Sequence, residues 1–161
     1  MSEENAELAP FRWGYRQARP IERAAFGMLS SFGMSIGVAR AIAYAIERRR
    51  PAPALRDWMR RAYHSPGEER LRVHHFLPGV ALAFVAGGAA IVKRDDGQFW
   101  LGISFGTGVG LTMDEIALLT ELDNPYWESG RLVLGQAAMA LLGAIGLGLR
   151  FHRRGAAGLE E

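Results

Sequence analysis

Phe99-Trp100-Leu101-Gly102-Ile103-Ser104-Phe105-Gly106-Thr107-Gly108-Val109-Gly110-Leu111-Thr112-Met113-Asp114-Glu115-Ile116-Ala117-Leu118-Leu119-Thr120 is the stretch that decides the fold. Its only charges are Asp114 and Glu115, side by side near one end. A helix of about 20 mostly apolar residues crosses the hydrocarbon core of a bilayer. Three other stretches meet or approach that requirement: 24–46 with the single charge Arg40, 73–92 with two histidines at its start, and 132–149 with no charge. A soluble bundle would have to hide nearly every side chain of four long helices inside 161 residues, which the surface-to-volume ratio of so small a chain does not allow.

The expected architecture is therefore all-α: a polytopic membrane protein with four transmembrane helices at 24–46, 73–92, 99–120 and 132–149, forming one membrane domain over 1–161. A mean hydropathy of zero reflects apolar spans averaged with arginine-rich connectors. With no cysteine, disulfides, thiolate metal sites and cysteine nucleophiles are excluded. Phe11, Trp13 and Tyr15, Phe99 and Trp100, and Tyr126 and Trp127 flank the spans, as aromatic rings at headgroup level do. The first span is too long, and too far from Met1, for a cleaved signal peptide.

Residues 54–64 place Leu55, Trp58, Met59 and Ala62 opposite Arg56, Asp57, Arg60 and Arg61. This suits a short amphipathic helix in the interface, and a solvated connecting helix suits it equally. The arginines of this first connector would attract anionic lipid headgroups. Lys93 to Gln98 is a tight turn that makes the second and third spans an antiparallel hairpin, and 1–8 and 155–161 read as disordered tails. With both termini on one side, each side carries nine basic residues, so the positive-inside rule assigns no orientation.

Helices in lipid approach closely through small residues. Gly102, Gly106 and Gly110 form a glycine zipper whose next position is Asp114; Gly79, Ala83 and Gly87 form a matching stripe whose preceding position is His75. Facing these stripes pairs Gly87 with Gly102, Ala83 with Gly106, Gly79 with Gly110 and His75 with Asp114. Arg40 and Asp114 each lie six residues before the end of their spans, so Arg40, His74, His75, Asp114 and Glu115 share one leaflet at a similar depth.

Ionisable groups in a bilayer are costly and pair with one another. Three functions fit this cluster. A divalent metal (zinc, iron or manganese) would take His74, His75, Asp114 and Glu115 as ligands, with Glu115 as base and Arg40 binding an anionic group of a lipid-linked or other membrane substrate during hydrolysis. Adjacent histidines diverge by about 100° on a helix, so both can ligate only if the helix starts near Leu77, which Pro78 permits. Alternatively, the cluster relays protons or ions in a small oligomeric transporter. As a third function, an Arg40 ion pair to Asp114 or Glu115 simply locks the bundle. Gly106-Thr107-Gly108-Val109-Gly110 lies inside a span and is packing surface rather than a nucleotide loop, and no nucleic-acid-binding pattern is present.

The run His74-His75-Phe76-Leu77-Pro78-Gly79, the later Asp114-Glu115-Ile116-Ala117-Leu118, Tyr126-Trp127 and Gly130-Arg131 together resemble an HHxxPG, DExAL and YW pattern. It is that of a family of small bacterial four-span integral membrane proteins. The resemblance covers about 120 residues, from the first span to the last. It implies a multi-pass protein of the bacterial cytoplasmic membrane and points to the same site residues, without implying a reaction.

Overall fold

A computed structural model describes residues 7–48, 76–92, 98–119 and 127–159, apart from the side chains of 43–48, 116–119 and 127–131. Among the described residues the chain is all-helical: α1 (Ala9–Arg16), α2 (Pro20–Arg48), α3 (Phe76–Val92), α4 (Gln98–Leu119) and α5 (Trp127–Leu159). The expected interfacial helix at 54–64 and the turn at 93–97 lie outside them, as do His74 and His75. α3 has 17 residues and carries Pro78 in its first turn, where the missing N–H costs no helical hydrogen bond.

Two helices are long and apolar enough to cross a membrane, Pro20–Ile42 and Leu132–Leu159, and Phe76–Val92 is a shorter apolar helix. Their apolar side chains are mostly turned outward. Phe84, Val85, Ile91, Met139 and Leu142 are all exposed, whereas among the described residues the fully buried large side chains are Ile36 and Phe151. A soluble core helix would show the reverse.

The helices lie in the order α3, α4, α2, α5, and α1 packs on the end of α5. Glycine decides how closely they approach. A Cβ on Gly102 would strike the Ala24 carbonyl, one on Gly106 the Met28 carbonyl, and one on Gly110 the Ser35 hydroxyl beside Phe32. The constant offset between these partners makes α2 and α4 parallel. On the opposite flank of α4, a Cβ on Gly108 would come within 2.6 Å of both the Ala83 nitrogen and the Gly79 carbonyl oxygen, and α3 runs antiparallel.

This corrects the expected register. Gly102, Gly106 and Gly110 do not face Gly87, Ala83 and Gly79; they face α2, and Gly108 takes their place against α3. A stripe spaced by four identifies a close-packing surface but not its partner, and α4, between two helices, has two such surfaces.

The C-terminal tail expected at 155–161 is also corrected. α5 continues to Leu159, because α1 covers its last turns. Gly155 is buried against the Pro10 backbone, Gly14 against the Phe151 carbonyl, and Gly158 lies under the Trp13 ring. α5 therefore extends well past the end of the apolar segment at Leu149.

Candidate functional site

Asp114 and Glu115 sit near the end of α4 and are almost fully buried, at 5% and 3% exposure. Asp114 continues the glycine stripe toward α2. There the Arg40 Nε donates to its Oδ1 at 2.5 Å, and Arg40 Nη2 donates to the Asp114 backbone carbonyl at 3.3 Å. The Arg40 side chain is itself 14% exposed, so the pair is largely, though not wholly, enclosed by the helices.

Glu115 points elsewhere. Successive helical residues diverge by about 100°, which turns Glu115 away from α2 and onto the start of α3. Its Oε2 accepts the Phe76 backbone N–H at 2.5 Å, satisfying one of the amides that a helix N-terminus leaves without an internal partner. A carboxylate at this position also meets the positive end of the helix dipole.

Of the five residues expected to converge, the structure brings Arg40 and Asp114 into contact and sets Glu115 beside them, on the amide that follows His75 in sequence. Among the described residues no group of three histidine or carboxylate side chains could hold a metal ion; His74 and His75 are not among those residues.

A second polar cluster lies at the other end of α2. Glu22, 6% exposed, accepts the Arg19 N–H at 2.9 Å and bonds Arg154 at 3.2 and 3.3 Å, with Arg150 at 3.4 Å. The signal was present in Arg19-Pro20-Ile21-Glu22: proline at the first helical position and glutamate at the third, reaching back to the cap N–H, is half of a capping box. The arginines arrive from α5, Arg154 from 132 residues away in sequence, and no local pattern announces them. Beside this cluster Tyr15 packs edge-on to Phe26, Phe99 and Phe151. Burial among these rings pushes its phenol pKa up, against the opposing pull of Arg23.

Arg40 and Glu22 are 18 positions apart on α2, about 27 Å along the axis, close to the ~30 Å thickness of a hydrocarbon core. The apolar stretch of α2 continues beyond Arg40 to residue 46, so the Arg40 cluster lies inside that stretch and the Glu22 cluster at its other edge.

Comparison with protein-family models, curated proteins and solved structures returns no match for this chain.

Proposed function

We propose that the chain is a four-span protein of a bacterial cytoplasmic membrane whose buried ion pair, Arg40 with Asp114, locks the first and third spans in parallel. The observation that carries this reading is that contact, an ion pair between a largely buried arginine and a buried aspartate on two helices whose middle parts are mostly apolar. Outward-facing leucine, isoleucine and phenylalanine side chains on the described helices support membrane crossings. The glycines of α4 serve close packing against both neighbouring helices.

The test is a double-mutant cycle on detergent-purified protein. Arg40→Met and Asp114→Leu each strand one buried charge, at a cost of about 3–5 kcal/mol, and the double variant recovers most of the loss. Additive losses would overturn the lock.

A second reading is favoured by the Glu115 contact. The Phe76 amide that Glu115 holds is the atom next in the chain to His75, so Glu115 with His74 and His75 forms a candidate two-nitrogen, one-carboxylate metal set. Such a set leaves a coordination position open for water or substrate. In this reading Asp114 neutralises Arg40 and is not a ligand.

A further inference from the structure

The face between α2 and α4 carries an apolar groove with a volume of about 760 Å³. Phe26, Met34 and Ile42 form one wall and Phe99, Ile103 and Leu111 the other. From Phe26 to Ile42 the helical rise gives a length of about 24 Å, more than the ~15 Å depth of one leaflet. Two of its hydroxyls are turned to the backbone, Ser31 donating to the Ile103 carbonyl and Ser35 to the Phe32 carbonyl, both at 2.9 Å, and most of the remaining lining is apolar. The groove therefore presents carbon to its occupant. Met34 and Val38 are exposed, so it is open along its side.

One end of the groove is cationic. Phe26 and Phe99 at that mouth touch the Tyr15 ring, and the Arg23 guanidinium lies 6.0 Å above that ring. Next to Arg23 on α2, Glu22 draws Arg19, Arg150 and Arg154 to the same end of the bundle. The buried acid of this collar, Glu22, is already held by Arg154 and Arg150. A second copy of the chain in the same orientation would bring its own arginines to this rim, and like charges there repel. A phospholipid brings the opposite charge.

We infer that the α2–α4 groove binds a single anionic glycerophospholipid, with its phosphate at Arg23 and one acyl chain laid along the groove. Arginine is suited to the phosphate, its planar fork matching two oxygens, and the groove supplies mainly apolar contact for the chain. This site is at the opposite end of the bundle from the arginine-rich first connector. It rests on the four-span reading.

The test titrates detergent-purified full-length chain with phosphatidylglycerol, with phosphatidylcholine, with glycerol 3-phosphate and with decane. Bound lipid is counted by native mass spectrometry, and the thermal midpoint is followed. Phosphatidylglycerol should bind at one per chain and raise the midpoint, while headgroup alone and hydrocarbon alone do neither. Arg23→Gln and the groove-filling Ser30→Phe should each weaken binding by about tenfold, and Arg60→Gln in the first connector should not. Equal binding of both lipids overturns the proposal, as does loss on Arg60→Gln with no effect of Arg23→Gln. A chain that is dimeric until Ser30→Phe makes it monomeric, with lipid binding unchanged, shows a second copy in the groove and also overturns it. An alkaline wash of membranes separates the two levels: release of the chain removes the four-span reading and the lipid site together. Retention with a failed lipid titration removes only the site.

Discussion

The carboxylates of Asp114 and Glu115 are neighbours in sequence and serve two different helices, Asp114 binding Arg40 on α2 and Glu115 the Phe76 amide on α3. One turn of α4 thereby ties three helices together, and the two acids are not interchangeable.

Substitution of Glu115 should read out on α3 alone. Glu115→Gln keeps an acceptor for the Phe76 N–H and should lower stability only modestly. Glu115→Leu leaves that amide without its carboxylate partner and should cost about 1–3 kcal/mol. Amide hydrogen exchange should quicken in the first turn of α3 in Glu115→Leu and stay unchanged in α2. Equal acceleration in both helices would contradict the division of labour.

Glycine substitutions should separate contact from composition. Alanine is intrinsically better than glycine in a helix by about 1 kcal/mol. At Gly37 a Cβ meets open space, so Gly37→Ala should be neutral or stabilising. At Gly106 it strikes the Met28 carbonyl and the Ser31 hydroxyl, so Gly106→Ala must push α2 and α4 apart and lower the thermal midpoint. Matching effects at the two positions would mean that the close approach is not what glycine serves there.

Much of this was legible from residue type and spacing. Helices α2 to α5 followed from apolar length, and an ion pair of Arg40 with Asp114 or Glu115 from charges at similar depth, of which the structure selects Asp114. The partner of the Gly102–Gly106–Gly110 stripe was not legible, because small residues at a spacing of four mark a surface without naming the surface opposite. That the contacts of Asp114 and Glu115 reach two different helices was not legible either, because adjacency in sequence does not say which neighbouring helix each side chain meets. The docking of α1 on α5 was hidden for another reason: Gly155 and Gly158 look like tail residues until Pro10 and Trp13 are placed beside them.

The Glu22 cluster should be asymmetric in its energetics. Glu22→Ala removes the acceptor for the Arg19 amide and the partner of Arg154, and should cost about 1–3 kcal/mol. The Arg150 side chain is 59% exposed, so Arg150→Ala should change stability by less than about 1 kcal/mol. Chemical denaturation of the two variants in the same detergent measures the contrast, and a larger loss for Arg150→Ala would show that the cluster is organised around that arginine.

The absence of cysteine makes topology directly measurable. Single cysteines introduced as Ser2→Cys, Ser65→Cys, Asp95→Cys, Ser129→Cys and Glu160→Cys can be labelled in intact cells and after permeabilisation with a membrane-impermeant maleimide. Four crossings require positions 65 and 129 to label from one side and positions 2, 95 and 160 from the other. Positions 65 and 95 labelling from the same side would remove the second span.

The metal reading makes the sharpest demand on Glu115. If Glu115 ligates together with His74 and His75, protein purified without chelators should carry stoichiometric zinc, iron or manganese by elemental analysis. The metal should be lost in His75→Ala and in Glu115→Ala, since a three-residue set tolerates no missing member. It should survive in the paired Arg40→Met, Asp114→Leu variant, where both charges of the lock are gone and the ligands remain. Loss of metal in that pair would return Asp114 to the coordination shell and cost the lock its claim on that side chain. Metal-free wild-type protein would remove the metal reading and leave the Glu115 contact with the first amide of α3 as a structural one.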